Sequence, residues 1–263
     1  MYRSLKKYVL ELNNPFVFAF VLNTWNWFHG NKIRCKFHSK HGIFKVYDGQ
    51  NTRYASVNSR VLAYQKGFES RSEYLRAVYF LDLINFSNDD LIIDCGANVG
   101  DFEMCFKDIK LKYIAYEPNP LDFTCLRHNV GDLRSRNVGL WNESMILKFY
   151  VNEEFASSSF IMPPRFTKII DVTAVTLASE FPKSKIKLLK LEAEGAEPEV
   201  LQGAYEILNS IEYIAADVGP ERGIYEVSTR NEVVEYLINS GFRIEKENTK
   251  HRHTILLKNI SYD

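Results

Sequence analysis

From about residue 90 onward, short apolar runs alternate with longer amphipathic stretches. Leu91-Ile92-Ile93 ends at Asp94 and Gly96, Tyr113-Ile114-Ala115-Tyr116 at Glu117 and Pro118, Lys187 to Leu191 at Glu192 and Gly195, and Ile211 to Ala216 at Asp217 and Gly219. Each run reads as a parallel strand, buried on both faces, that stops on a carboxylate. A further strand is expected at Asn137-Val138. Between the runs, Asp101 to Ile109, Pro120 to Asn129, Pro198 to Leu208 and Asn231 to Ser240 read as helices, with Pro120 suited to a first turn and Gly241 to a stop. This alternation predicts a doubly wound α/β sheet that binds its ligands at the carboxyl ends of the strands. Phe242 to Glu245 and Thr254 to Leu257 follow with only a polar loop between them, so the sheet should close on a terminal antiparallel hairpin.

The first third has a different texture. Ile33, Cys35 and Phe37 alternate, then Ile43, Phe44, Val46 and Tyr47 follow a turn at Gly42, which predicts a small β-hairpin before helices near Arg60 to Tyr64 and Arg71 to Leu83. Residues 1–89 therefore read as a small α+β cap on the acceptor side of a ligand-binding domain formed by 90–263. The apolar stretch Pro15 to Leu22 runs on into Trp25, Trp27 and Phe28. It is too short for the roughly 20 apolar residues of a spanning helix and has no small-residue cleavage site, so a helix packed on its own domain is expected. Because Arg3, Lys6 and Lys7 precede it, contact with the inner face of a membrane, with a partner or with a second copy stays open.

Composition narrows the field. The 263 residues are 46% hydrophobic, enough for one large core, which excludes a disordered or fibrous chain. Cys35, Cys95, Cys105 and Cys125 form no C-x-x-C pair and suit reduced, buried thiols in a cytoplasmic setting. The 33 basic and 33 acidic side chains cancel, yet residues 1–89 hold 13 Lys/Arg against 6 Asp/Glu and the remainder 20 against 27. Such asymmetry fits a segment that faces an anionic ligand, or simply one that complements an acidic body. No basic, aromatic-interleaved face points to nucleic acid.

The chemistry concentrates in Asp94-Cys95-Gly96-Ala97-Asn98-Val99-Gly100. Gly96 would let backbone approach a ligand and Gly100 would let the next element pack close to its strand. Glu117, 21 residues after Gly96, stands where a carboxylate can accept from both hydroxyls of a ribose. A dinucleotide would need G-x-G-x-x-G, but Asn98 stands at the second glycine position and no third glycine follows. Glu192 and Glu194, two apart at a strand end, share a face and should lie beside Asp217. Such carboxylates could supply a general base with an orienting partner, or a Mg²⁺ or Mn²⁺ site using Glu192 and Asp217.

Taken with Tyr116-Glu-Pro-Asn-Pro120, Leu188-Leu-Lys-Leu-Glu-Ala-Glu-Gly-Ala-Glu197 followed by Val200-Leu-Gln-Gly203, and Asp217-Val-Gly-Pro-Glu-Arg-Gly223, this turn resembles the FkbM family of S-adenosylmethionine-dependent methyltransferases over roughly residues 90–245. The resemblance implies a class I methyltransferase fold, a mostly parallel seven-stranded sheet, and O-methylation, commonly of a sugar hydroxyl on a nucleotide-linked or surface-polysaccharide precursor. A small-molecule or lipid O-methyltransferase, or a non-catalytic S-adenosylmethionine-binding module in glycan assembly, are the alternatives. The family usually carries Asp where this chain has Glu192. The expected cofactor contacts are Asp94, Gly96, Ala97, Asn98 and Gly100 at the methionine end, Glu117 at the ribose, Asn119 and Phe123 near the adenosine, and Gly139 and Leu140 beside the adenine. From the residues themselves, Arg222 reads either as a clamp for a phosphate or carboxylate or as an exposed loop charge, and Ser158, in the irregular Ser157-Ser158-Ser159 segment, as part of an acceptor lid or of a solvated loop. Cys35, His38 and His41 lack a fourth ligand and sit in a strand pattern, His251 and His253 fall in the terminal loop, and Trp25, Trp27 and Trp141 read as core or interface residues.

Overall fold

The computed structural model describes residues 12–153, 157–249 and 252–263. Arg3, Lys6, Lys7 and His251 lie outside these described residues. The chain opens with helix α1 (Pro15–Phe28), begun by the Asn14 side chain, which accepts from the amides of Phe16 and Val17. An antiparallel sheet of β1 (Ile33–His38), β2 (Ile43–Asp48) and β3 (Asn51–Ala55) follows, then α2 (Asn58–Ala63) and α3 (Phe68–Val78). Phe18, Leu22, Ile33, Phe44, Val46, Val61 and Tyr64 give this segment a core of its own.

The main body starts at β4 (Leu91–Cys95) and continues through β5 (Lys112–Tyr116), α4 (Pro120–Val130) and the short β6 (Ser135–Arg136). A second, three-stranded sheet of β7 (Gly139–Leu140), β8 (Met145–Val151) and β9 (Lys168–Val175) interrupts the alternation. After it come α5 (Leu177–Glu180), β10 (Ile186–Leu191), α6 (Glu197–Gln202), β11 (Ile211–Asp217), a hairpin of β12 (Pro220–Arg222) and β13 (Val227–Ser228), α7 (Arg230–Asn239), β14 (Phe242–Asn248) and β15 (Thr254–Asn259).

The seven-stranded sheet has the order β14-β15-β11-β10-β4-β5-β6, and β15 alone runs antiparallel to its neighbours. The doubly wound, mostly parallel class I sheet with its terminal hairpin is therefore present. Strand order reverses between β4 and β10, which makes their carboxyl ends the place where a crevice must open. One face buries Ile93, Leu189, Leu191 and Ile214 against Val200, Leu201 and Val233, and the other buries Ile92, Leu188 and Leu256 against Leu75, Val78 and Phe102. Helix α3 thus covers one face of the main sheet.

Several elements depart from the sequence reading, each for a local reason. The expected helix from Asp101 is a 3-10 turn over Asp101–Phe106, and the one from Pro198 stops at Gln202 before a 3-10 turn over Tyr205–Ser210. A Cβ on Gly203 would lie 2.0 Å from the Trp141 carbonyl, so the chain crosses too closely there for an unbroken helix. The third main strand lies at Ser135–Arg136, two residues before Asn137-Val138. The N-terminal hairpin gains β3, whose inward side chains include Arg53, buried by donating to the Gly100 carbonyl at 2.6 Å. A buried arginine hides the apolar alternation that marks a strand.

Polar contacts fasten the N-terminal segment to the sheet. Asn129 accepts from the Tyr54 amide and donates to the Tyr54 and Val99 carbonyls. Asp101 accepts from the Tyr64 hydroxyl and, at 2.9 Å, from Arg71, and these partners hold its carboxyl below the usual range despite burial. That stabilisation is complete above the unfolded carboxyl's pKa and is lost as pH falls through the lowered folded value. Asp101→Ala leaves the Arg71 charge buried without its partner and should cost about 3–5 kcal/mol in urea unfolding at pH 7, with the difference shrinking in acid.

Candidate active site

The turn leaving β4 is closed on itself. The amides of Gly96 and Ala97 both donate to the Tyr116 carbonyl, at 3.1 and 2.9 Å, and the Asn98 amide donates to Glu117 Oε2 at 2.8 Å. Three amides that would cradle a pyrophosphate in a dinucleotide turn are thereby occupied, which supports the argument drawn from the missing glycines. Gly96 has φ +70°, and a Cβ there would sit 1.8 Å from the Glu192 carbonyl. The close approach required of Gly96 is therefore to the neighbouring strand end. Glu117 accepts from the Asn98 amide through one oxygen and from the Asn119 amide through the other, at 2.8 Å each. Since a carboxylate has about four acceptor sites, both oxygens can take a further donor. Burial, reinforced by Asp122, pushes its pKa up to about 8.

Lys190, near the end of β10, carries a buried ammonium between the two strand ends. It lies 3.0 Å from Asp94 Oδ1 and 3.0 Å from Glu192 Oε2, and donates to the Gly96 and Cys95 carbonyls at 2.7 and 3.2 Å. Glu192 also accepts from the Tyr79 hydroxyl at 2.7 Å and from Arg252 at 3.0 Å. Although burial opposes ionisation, Lys190 and Arg252 hold the Glu192 carboxyl far below its ordinary range.

Glu194 is placed differently. Its backbone is left-handed, with φ 50°, an unusual and costly conformation for a residue with a side chain. The loop around it is fixed from beneath by Glu197, which accepts from the amides of Ala193 and Gly195 and from Thr229, and from outside by Arg222. Among the described residues the Glu194 carboxylate forms no hydrogen bond or ion pair. Burial, then the Glu192 charge, pushes its pKa up to about 8. Glu221 is pushed up to about 10 by burial and by Glu194.

These groups line two adjoining clefts. One is lined by Gly96, Ala97, Asn98 and Glu117, by the apolar Gly139, Leu140, Phe149 and Phe160, and by Ser158, Glu192 and Glu194. A Cβ on Gly139 would strike the Phe160 ring at 2.2 Å, so this glycine lets the aromatic wall close in. The second is bounded by Arg60, Arg71, Glu192, Glu194, Asp217, Glu221, Arg252 and His253.

The model of the methyltransferase FkbM domain matches residues 94–244, more than half of the chain. The chain belongs to the FkbM methyltransferase family. Two curated relatives are Methyltransferase 1 of Beauveria bassiana, 28% identical over an alignment of 155 positions, and the hexuronic acid methyltransferase AglP of Haloferax volcanii, 27% identical over 137. The alignments take in 46% and 49% of this chain, and the chain spans 61% and 56% of those relatives. Among solved structures, the methyltransferase FkbM of Methylobacillus flagellatus KT superposes with a TM-score of 0.46 at 15% identity, covering 67% of this chain and 45% of that one.

Within this FkbM domain the expected residues divide. Gly96, Ala97, Asn98, Glu117, Gly139, Leu140, Ser158, Glu192 and Glu194 line the first cleft, and Asp217 lines the second. Five residues line neither. Asp94 is spent on Lys190 and Tyr113, Gly100 packs against Val130 and Leu126, Asn119 begins α4 by accepting from the Leu121 amide, and Phe123 packs on the core under Arg127. Arg222, expected to clamp an acceptor, is paired with Glu199 at 2.6 Å and donates to the Gly195 carbonyl, so it braces the loop that carries Glu194. Tyr79, Arg60, Arg71, Arg252 and Glu221 entered no sequence argument as site residues. Nothing in their local spacing marks them, because four of them come from the N-terminal segment or the terminal hairpin loop and only the fold brings them in.

The divalent-cation option at Glu192 and Asp217 does not fit. The Arg252 guanidinium bridges these two carboxylates at 3.0 and 2.5 Å, so the positive charge between them is already a side chain. Among the described residues no group of three His, Cys, Asp or Glu side chains is set to hold a metal, and Cys35 with His38 and His41 forms none. All four cysteines are free and buried. Lys190→Met should cost about 3–5 kcal/mol in urea unfolding because it leaves Asp94 and Glu192 without their shared cation. Lys190→Arg should recover part of that loss.

Proposed function

We propose that this chain transfers a methyl group from S-adenosylmethionine to a hydroxyl of a sugar acceptor that bears an acidic group. The observation that carries the reading is one cleft lined both by Glu117, whose carboxyl keeps acceptor capacity for a ribose, and by Glu194, whose carboxyl has no hydrogen bond or ion pair among the described residues. The donor fits these residues: Glu117 has acceptor capacity left for two hydroxyls, and Gly139, Leu140, Phe149 and Phe160 offer an apolar wall for a base. When bound, S-adenosylmethionine supplies a methyl group already activated on a sulfonium.

The protein's remaining tasks are alignment, exclusion of water and removal of a proton. Glu192, tied to Lys190, Tyr79 and Arg252, stays ionised and positions its neighbours. Glu194 is the group free to accept the hydroxyl proton as the acceptor oxygen gains the methyl. Its raised pKa matches that work near neutral pH, and positive charge brought into the cleft favours its ionised form. Arg60, Arg71 and Arg252 line the acceptor-side cleft beside Glu192, Glu194, Asp217 and Glu221, and Arg71 and Arg252 are already paired with Asp101, Glu192 and Asp217, so the support for an acidic acceptor is the excess basic charge of the N-terminal segment that faces this cleft. The relative named as a hexuronic acid methyltransferase points the same way.

Transfer of labelled methyl from S-adenosylmethionine to uronic acids, nucleotide-linked sugars and neutral sugars tests this reading. Label is expected in the acidic sugars, unchanged by EDTA; label confined to neutral lipids or small aromatics would redirect it, and cofactor binding without any product would leave a recruitment module. Glu194→Gln should lower turnover by about 10² or more with little change in cofactor affinity. For the wild type, kcat/KM should rise with pH toward about 8, and because Glu117 is also pushed up to about 8, the share of that rise due to Glu194 is the part lost in the residual activity of Glu194→Gln. Glu117→Gln should weaken cofactor binding by about tenfold in calorimetry, because one oxygen that accepts from the ribose is replaced by a donor.

A further inference from the structure

Helix α1 turns its apolar side outward. At 100° per residue, the exposed positions Phe16, Val17, Phe20, Thr24, Trp27 and Phe28 fall in about one third of its circumference, opposite Phe18, Ala19, Leu22 and Asn26, which pack on the N-terminal sheet. Five of these six are large hydrophobics, with exposures of 57% for Phe16, 44% for Val17, 71% for Phe20, 68% for Trp27 and 71% for Phe28. A helix apolar on both sides is one whose second side also has a partner. Of the two places expected for Trp27, core or interface, the core is excluded by its exposure, since the buried arc ends at Asn26, whose amide donates to the Ile33 carbonyl.

The charge around the helix selects the partner. Residues 12–47 contain Lys32, Arg34, Lys36, Lys40 and Lys45 and no Asp or Glu. Lys32 and Lys40, just before and just after β1, are exposed and form no ion pair among the described residues, whereas Lys36 alternates with Ile33, Cys35 and Phe37 and so points to the sheet face away from α1. A second copy seated on the same face would bring two carboxylate-free basic stretches together, whereas an anionic lipid surface complements them. The 14 residues span about 21 Å, enough to lie along an interface, and no helix among the described residues is long and apolar enough to cross a membrane. Phe and Trp are suited to the headgroup boundary, where a ring sits between apolar and wet layers.

We propose that α1 docks by its Phe16, Phe20, Trp27 and Phe28 face on a membrane containing anionic phospholipid and holds the enzyme at that surface. The test is flotation of the full chain with phosphatidylcholine vesicles with and without phosphatidylglycerol. Binding is expected only when phosphatidylglycerol is present, should weaken at high salt, and should fall by about tenfold or more in Phe20→Ser/Trp27→Ser. In the wild type, brominated lipid should quench Trp27 emission, measured against Trp27→Phe as background, so the proposal is tested even if the double variant folds poorly. Absence of both flotation and quenching overturns it. So does a concentration-dependent dimer in light scattering that Phe20→Ser abolishes while vesicles do not bind.

Discussion

A buried ammonium holds the carboxyl ends of the two central strands of this sheet together. Taking the Lys190 charge out of water costs several kcal/mol, and the cost is offset only because Asp94, Glu192 and two backbone carbonyls surround it. Those four partners belong to the ends of β4 and β10, the two strands between which the order of the sheet reverses. The crevice that the topology opens is thus pinned by one side chain. Gly96 shares the constraint, since its missing Cβ is what lets the β4 turn lie against the Glu192 carbonyl.

The division of labour among the acids follows from that arrangement. Two acidic side chains two residues apart have opposite environments: Glu192 is surrounded by Lys190, Arg252 and a tyrosine hydroxyl, while Glu194 has burial and the Glu192 charge against it. Neighbouring carboxyls pushed apart in this way are the usual mark of distinct catalytic assignments. The Glu192 side chain reaches Lys190, Tyr79 and Arg252 at once. Glu197 and Arg222 fix the intervening loop from two sides, which sustains the left-handed backbone at Glu194.

Much of the scaffold was legible in the sequence, because parallel strands buried on both faces leave continuous apolar runs and each of these ended on an acid. Glu117, marked by its distance from Gly96, and Glu192 and Glu194, marked by their spacing, line the same cleft. What stayed hidden depends on long-range contacts. Arg252 reaches Asp217 and Glu192 from the terminal hairpin loop, Tyr79 reaches Glu192 across 113 positions, and Arg53 conceals a strand because its burial is satisfied by Gly100. Arg222 misled in the opposite sense: a cation beside a strand end reads as a ligand clamp until Glu199 is seen to occupy it. The sheet of β7, β8 and β9 was missed because it breaks the alternation that revealed the main sheet.

The central claim is that one network keeps Glu192 ionised while leaving Glu194 to exchange a proton. Carbon-13 NMR of the glutamate carboxyls as a function of pH, with Glu192→Gln and Glu194→Gln for assignment, tests it most directly. The account predicts that the Glu194 signal titrates near pH 8 and that the Glu192 signal stays in its ionised position down to the acid limit of folding. Two carboxyls that both titrate in the ordinary range near pH 4 to 5 would contradict it.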